Sequence, residues 1–157
     1  MKNTTISFTL LETETPTELS AMDQHLLDSA LRAAESAYTP YSHFKVGAAV
    51  RLRDGTVVTG NNQENAAFPS GLCAERTALF YAQALHPHHA VESIAVTAMA
   101  DGVQTQAPVY PCGACRQVMA EAQKRSGAPV KVIMGGLQKI QIVEDVTHLL
   151  PLTFDKF

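Results

Sequence analysis

Three cysteines and the residues beside them lie in two short segments whose spacing suits metal chemistry. Cys73 stands in GLCAERTALF (71–80), and Cys112 and Cys115 stand in YPCGACRQ (110–117). Zinc prefers four ligands in a tetrahedron, binds thiolates readily, and in catalytic sites keeps one position for water. Side chains three residues apart at a helix start share a face, so the second segment can direct both sulfurs at one ion. The sequence therefore predicts a zinc site with three thiolate ligands and one open position.

The residues just after Cys73 have the chemistry to assist such an ion. Glu75 is a carboxylate that can take a proton from water and pass it on, as hydrolysis requires. Three thiolates outweigh the charge of Zn²⁺ and weaken it as a Lewis acid unless a nearby cation compensates. We expect Arg76 to compensate by donating hydrogen bonds to the sulfurs. Replacing Arg76 with Gln should then raise the pH at which the reaction rate climbs.

Spacing alone leaves other uses of the cysteines open. A lone C-x-x-C pair is more often half of a structural zinc site or a redox pair. A redox pair would need neither Cys73 nor Glu75, whereas a structural zinc site would need a fourth ligand, and a remote histidine could provide it. The run HPHHA (86–90) resembles a metal-binding tract, but its proline breaks a helix, so we interpret it as a solvated turn. His25 and His148 are interpreted as packing or surface residues.

The hydrophobic pattern predicts the elements that must position these residues. Both cysteine segments open predicted helices, where the partial positive charge of a helix N-terminus favours thiolates. Asp54-Gly55 predicts the tight turn of a β-hairpin. The alternation of Ile6, Phe8 and Leu10 suits either a short strand or a loose arm. The predicted helices span 20–37, 73–85 and 112–123 with a last turn at 146–150, and the predicted strands span 46–52, 56–59, 94–99, 130–134 and 140–143.

This order of helices and strands predicts an α/β fold. Crossover helices make neighbouring strands parallel, whereas the hairpin makes one antiparallel pair. We therefore expect three αβα layers around a mixed sheet of about five strands. The 157 residues fit one domain, with residues 1–18 as an N-terminal extension and residues 19–157 as the domain itself.

Charge and composition exclude several classes of partner. The net charge is −3, and no run of like charges suggests binding to a nucleic acid polymer or a membrane surface. No segment approaches the roughly 20 apolar residues of a membrane span or the apolar run of a signal peptide. The odd number of cysteines, 3, rules out a closed set of disulfides. We expect a cytoplasmic protein whose partner is small and weakly charged.

The two cysteine segments also resemble a known enzyme family. C-A-E at 73–75 with P-C-G-A-C at 111–115 is similar to the zinc-dependent cytidine deaminases. The resemblance covers about residues 20–155 and identifies the short, three-cysteine, homotetrameric class, since the longer dimeric class carries H-A-E in place of C-A-E. Further matching segments are YTPYSHFKVGAAV (38–50), GNNQENAAFPSGLCAERTA (60–78), YPCGACRQVMAE (110–121) and LLPLTF (149–154).

The resemblance implies a reaction and a cofactor. One zinc ion per subunit would be held by Cys73, Cys112 and Cys115. Cytidine and deoxycytidine would be deaminated by hydrolysis to uridine and deoxyuridine with release of ammonia, a step of pyrimidine salvage. Glu75 would carry protons from the attacking water to the ring nitrogen N3 and to the leaving amine.

The resemblance also assigns residues to the substrate. Asn62 and Glu64 match the N-x-E pair that holds the ribose hydroxyls, which favours a nucleoside over a free base. Phe44 matches an aromatic residue that lines the nucleoside pocket, and the backbone of Ala74 matches the group that reads the pyrimidine edge. Phe154 matches a C-terminal aromatic residue that reaches into a neighbouring subunit's site. The active sites of a homotetramer would then be shared between subunits.

Three other functions stay open at this point. A deaminase of a blasticidin-type nucleoside antibiotic would share the zinc motif, although the N-x-E pair favours an ordinary nucleoside. A polynucleotide deaminase is disfavoured because basic strips with interleaved aromatic residues are absent from the sequence. A zinc-stabilised binding module without activity would carry four protein ligands. Residues 1–18 extend beyond the usual start of the family, and residues 86–108 match it only in outline.

Overall fold

The computed structural model describes residues 1–156, which form three helices and a seven-stranded sheet. The predicted helices and strands are all present, with ends that differ by a few residues, and the last predicted turn is a 3-10 turn at Val146–His148. The helices are α1 (Ala21–Glu35), α2 (Ala74–Leu85) and α3 (Gly113–Ser126). The strands are β1 (Leu11–Thr13), β2 (Phe44–Leu52), β3 (Val57–Asn61), β4 (Val91–Ala100), β5 (Val103–Gln104), β6 (Lys131–Gly135) and β7 (Ile140–Val143).

The sheet is mixed, as expected, and runs in the order β1-β7-β6-β4-β2-β3, with β5 paired to the end of β4. The β4–β6 pair is parallel because α3 crosses over between these two strands, and the other named pairs are antiparallel. The sheet has two strands more than the about five expected from alternation. These are β1 and β5, which are three and two residues long and too short to show an alternating pattern.

The N-terminal alternation at Ile6, Phe8 and Leu10 does not form a strand. Pairing with β7 occurs just after it, in the register Leu11↔Ile142 and Thr13↔Ile140. A strand needs a partner, and β1 already covers three of the four residues of β7. The alternating side chains therefore remain about half exposed.

Helices cover both faces of the sheet, which confirms the three-layer arrangement. Successive residues of a strand point to opposite faces of the sheet, as Ala95 and Val96 of β4 do. On the α1 face the buried core includes Leu26, Ala30, Ala49, Ala95 and Ile133. On the α2 and α3 face it includes Ala78, Leu79, Val96, Met119 and Val132. No helix within residues 1–156 has both the length and the apolar character needed to cross a bilayer.

A glycine in β3 sets how closely α2 approaches the sheet. A Cβ added to Gly60 would lie 2.5 Å from the backbone nitrogen of Ala78 and 3.0 Å from the carbonyl oxygen of Ala74. Carbon makes favourable contacts only at about 3.5 Å or more, so any side chain at residue 60 would push the helix away. The start of α2, with Cys73 and Glu75, depends on this close contact.

The start of α1 is fixed by a buried group of charges. Ser20 caps the helix, because its hydroxyl accepts a 3.1 Å hydrogen bond from the backbone N–H of Asp23. The carboxylate of Asp23 lies 3.0 Å from Nη1 of Arg51 in β2 and 3.1 Å from Nζ of Lys131 in β6. Burial disfavours the charged carboxylate, but the hydrogen bonds from Lys131 and Arg51 outweigh it and hold the pKa of Asp23 below its usual range.

Candidate metal centre and active site

The three cysteines meet at the N-termini of α2 and α3. Cys73 and Cys112 are the N-cap residues of these helices, and Cys115 lies in the first turn of α3. The Sγ–Sγ distance is 3.8 Å from Cys73 to Cys112 and 3.4 Å from Cys112 to Cys115, and the three sulfurs lie within 4.8 Å of one another. Sulfurs bonded at about 2.3 Å to one tetrahedral zinc ion stand about 3.8 Å apart. The three thiols therefore fit a zinc ion with little movement.

The group of side chains that could hold a metal ion consists of three cysteines. In residues 1–156, no histidine or carboxylate joins the three sulfurs. The remote histidine that a structural zinc site would need is therefore missing from the described part of the chain. The HPHHA run forms a turn after α2, as predicted, where His89 Nε2 lies 3.2 Å from a carboxylate oxygen of Asp54. A tetrahedral ion held by these sulfurs would keep its fourth position open.

The pKa values of Cys73 and Cys115 are shifted in opposite directions. A hydrogen bond from Cys115 lowers the pKa of Cys73 to about 5, with further lowering by Arg76 and Cys112 against the effect of burial. The same contact, together with burial and the charge of Glu75, raises the pKa of Cys115. The lowered pKa favours the thiolate form of Cys73. A preformed anionic ligand is the state that zinc binding requires.

Glu75 lies in the first turn of α2 and is 4% exposed. Burial raises the pKa of this carboxyl, and the neighbouring Cys73 thiolate raises it further. A carboxyl whose charged form is disfavoured takes up a proton more readily near neutral pH than an exposed one. Glu75 is therefore suited to carry a proton beside the sulfur cluster.

Arg76 contacts the sulfur cluster from the same helical turn. Its Nη2 lies 3.8 Å from Sγ of Cys73, so the expected contact between this guanidinium and a sulfur is present. Its Nε is buried and has no hydrogen-bond partner among residues 1–156. The guanidinium thus places positive charge next to the thiolate, which favours the anionic form of Cys73.

Asn62 and Glu64 follow β3 and fix the chain around the start of β2. The amide of Asn62 accepts a 2.7 Å hydrogen bond from the backbone of Val46 and donates one of 2.9 Å to the carbonyl of Phe44. The carboxylate of Glu64 accepts hydrogen bonds from the backbone N–H groups of residues 41 and 42 and from the hydroxyl of residue 42. These hydrogen bonds lower the pKa of Glu64 and keep it charged.

A short β-bridge links this region to the three cysteines. Gln63 and Leu72 exchange backbone hydrogen bonds of 2.9 and 3.0 Å, and Leu72 immediately precedes Cys73. Ala74 is the fully buried first residue of α2, and Phe44 is the half-buried first residue of β2. The structure therefore brings these sequence-predicted residues to one region.

Phe154 lies away from this region. Its carbonyl accepts a 2.8 Å hydrogen bond from the side chain of Gln117, and its ring, in a side chain that is 65% exposed, borders a groove with Ala120 and Lys124. These residues belong to later turns of α3, whereas the cysteines lie at its start. Within this chain, Phe154 is not grouped with the other candidate residues.

Arg116 is a residue of this region that the sequence interpretation missed. Its guanidinium donates from Nε to the carbonyl of Pro111 at 2.8 Å and from Nη1 to the carbonyl of Leu149 at 2.9 Å. It therefore ties the cysteine loop to the C-terminal segment. Its place directly after Cys115 was a signal, but nothing in the spacing could identify a partner 33 residues away.

Comparison with protein families gives one match over most of the chain. The family described as "Cytidine and deoxycytidylate deaminase zinc-binding region" matches residues 20–128. A cytidine deaminase of Halalkalibacterium halodurans is 47% identical over 132 residues, which are 83% of this chain and 92% of that protein. A cytidine deaminase of Sporosarcina psychrophila is 41% identical over 133 residues, or 85% and 91% of the two chains.

Solved structures show the same likeness in three dimensions. A cytidine deaminase from Burkholderia pseudomallei superposes with a TM-score of 0.71 at 40% identity, covering 83% of this chain and 97% of the other. One from Mycobacterium tuberculosis gives a TM-score of 0.65 at 31% identity, covering 84% and 96%. The sequence and the fold of this chain are thus both similar to those of cytidine deaminases.

Proposed function

This chain belongs to the cytidine and deoxycytidylate deaminase family, and we propose that it removes the amino group of cytidine and deoxycytidine by hydrolysis. Each turnover would consume one water and release ammonia with uridine or deoxyuridine. The observation that carries the proposal is the meeting of three thiols beside a buried carboxyl at two helix N-termini. Cys73, Cys112 and Cys115 would hold the zinc ion, which supplies Lewis-acid activation of water when bound.

Glu75 would move the protons of the reaction. It takes one from the attacking water and delivers it to N3 of the pyrimidine ring, which makes C4 more open to attack. It then takes the proton of the new C4 hydroxyl and passes it to the departing amine, so that C4 becomes a carbonyl and the leaving group is neutral ammonia. Burial supports this role, because a raised pKa lets one carboxyl act as base and then as acid at neutral pH.

Asn62 and Glu64 would hold the ribose. The Asn62 amide makes one hydrogen bond to β2 through its oxygen and one through its nitrogen, which leaves a second lone pair and a second N–H for a hydroxyl. Glu64 accepts three hydrogen bonds, and an ionised carboxylate offers about four acceptor positions. These hydrogen bonds within the protein therefore orient both side chains and still leave hydrogen-bonding positions for a substrate. Phe44 would line the pocket, and the backbone of Ala74 would read the edge of the base.

The assembly is proposed from the family resemblance. We place the protein in the cytoplasm as a homotetramer with one zinc ion per subunit. Phe154 would then complete the site of a neighbouring subunit, and this residue is 65% exposed on its own chain. Light scattering on the purified chain tests this assembly, and a monomer with full activity would contradict it.

The central experiment follows cytidine by ultraviolet absorbance and ammonia by a coupled assay. The zinc-loaded protein should convert cytidine, lose activity with a chelator and recover it when zinc is restored. Cytosine base and a blasticidin-type antibiotic serve as comparison substrates, and both should react far more slowly than cytidine. A zinc-loaded protein that releases no ammonia from cytidine or deoxycytidine would overturn the proposal.

A further inference from the structure

Part of the N-terminal extension (residues 1–18) is built into the edge of the sheet. β1 pairs with β7 in a register that sets Glu12 directly opposite Gln141. Upstream of this pair, the ring of Phe8 stacks on His148 with 5.7 Å between centroids. The family match begins only at residue 20. These contacts therefore lie outside the part of the chain that defines the family.

The side chain of Gln141 joins the extension to the loop before α3. Gln141 is 7% exposed, and its Nε2 donates a 2.6 Å hydrogen bond to the carboxylate of Glu12. Its Oε1 accepts a 2.8 Å hydrogen bond from the hydroxyl of Tyr110. The other carboxylate oxygen of Glu12 lies 3.0 Å from Nζ of Lys139. The three side chains form one hydrogen-bonded chain, Glu12–Gln141–Tyr110.

Tyr110, at one end of this series of hydrogen bonds, lies two residues before the proposed metal ligand Cys112. Backbone hydrogen bonds to residues 137 and 138 hold the loop at Thr105 and Gln106. Arg116 holds it again at the carbonyl of Pro111. Between these points, Tyr110 supplies the side-chain hydrogen bond that ties the loop to the sheet.

We propose that the Glu12–Gln141–Tyr110 chain makes the N-terminal extension a support for the metal site, with Gln141 and Tyr110 as positioning residues for Cys112. The inference rests on the metal centre of the proposed function and not on its substrate. Partners outside the ligands restrict where a ligand atom can move, and losing such a partner typically weakens metal binding by 10–100-fold.

The test measures zinc release into a chromogenic chelator and the thiolate absorption bands of the Co²⁺-loaded protein. Tyr110→Phe removes the hydroxyl and keeps the ring. Gln141→Glu places a second carboxylate opposite Glu12, where like charges repel. We expect each variant to release zinc about tenfold faster and to alter the Co²⁺ bands, in line with the loss of an outer partner.

A swapped pair separates this role from a general weakening of the fold. In Glu12→Gln with Gln141→Glu, the new glutamine donates to the new carboxylate, which still accepts from Tyr110. The double variant should therefore return to within about twofold of the wild-type release rate, as expected for residues that act through one contact. Glu14→Gln, on the same segment but without a hydrogen bond in the described structure, is the matched control and should change nothing.

Two results would overturn the inference. One is unchanged zinc release in both Tyr110→Phe and Gln141→Glu. The other is a Gln141→Glu variant whose melting temperature falls while zinc release and the Co²⁺ bands stay as in the wild type, since β1 would then only close the sheet edge. Both readouts are independent of deamination, so a protein that fails to convert cytidine but shows these shifts would refute the proposed function alone.

Discussion

Two features of the structure act on the charge of Glu75. It is almost fully buried, and the thiolate of Cys73 lies in the same helical turn. Both features disfavour its charged form, so a role that only required a stable negative charge would gain nothing from this position. A proton carrier does gain, because its pKa moves toward the working pH.

Glu75→Gln should therefore abolish most of the activity while the metal remains bound. The amide keeps the shape of the side chain but cannot accept and return a proton, and the expected loss in kcat is about 10²- to 10⁴-fold. Cytidine turnover and zinc content are measured on the same sample, with Glu35→Gln at the exposed last residue of α1 as a control. Full turnover in a zinc-containing Glu75→Gln protein would remove Glu75 from the mechanism.

Arg76 should lower the pKa of the Cys73 thiol, and this effect can be measured without a substrate. Since its guanidinium helps to lower the pKa of Cys73, Arg76→Gln should raise that pKa, by about one unit for an opposite charge at this range. Thiolate absorbance against pH in metal-free protein gives the value, with Arg76→Lys as the matched variant. The activity profile should also rise at a higher pH, and identical titrations in all three proteins would exclude the role.

The proposed metal ligands and the proposed proton carrier all lie at the N-termini of two helices. Cys73, Glu75 and Arg76 belong to the first turn of α2, and Cys112 and Cys115 belong to that of α3. Each helix packs on the sheet through its own contacts. The distances between the sulfurs therefore depend on how α2 and α3 pack on the sheet. Gly60 is the sharpest example, because backbone of α2 occupies the space of its missing side chain.

Gly60→Ala should consequently disturb the metal centre from the sheet. The new methyl group would push α2 outward, which should cost about 1–3 kcal/mol of unfolding free energy, as overpacking usually does. Urea unfolding and the zinc release rate are the measurements, and Thr59→Ala at the exposed neighbouring residue is the control. If Gly60→Ala matched Thr59→Ala in both, the close packing of α2 on β3 would not govern the site.

At the scale of the whole molecule, buried charges join the layers on the face away from the metal. Asp23 links α1 to β2 and β6 through Arg51 and Lys131. Because its pKa is lower in the folded than in the unfolded chain, its contribution is complete above the unfolded pKa of about 4. The contribution is lost as the pH falls through the folded value.

Asp23→Asn should thus lower the unfolding free energy by about 3 kcal/mol at pH 7, because two cations lose a buried partner. The gap between variant and wild type should close below about pH 4. Urea unfolding of chelator-treated protein at pH 7, 5 and 3 measures it, with Asp28→Asn on the exposed side of α1 as control. A gap that stays constant with pH would show that the charge of Asp23 is not what stabilises the layers.

The sequence by itself determined the local structure and the chemistry. The three helices and five longer strands follow from residue periodicity, and the three thiols with one carboxylate follow from residue type and spacing. These features depend on neighbours along the chain, which is why alternation and helix starts were enough to predict them. Strands β1 and β5 were not predicted, because segments of three and two residues are too short to show an alternating pattern.

Only the tertiary structure decided which distant residues meet. It placed the strand pairing at Leu11–Thr13 and not at the alternating residues before it, since an edge strand forms where its partner offers free backbone groups. It joined Tyr110 to Gln141 and Arg116 to Leu149, and it raised the pKa of Glu75 by burying it. Such pairings and burials depend on how the layers pack in space, and residue spacing along the chain does not encode that packing directly.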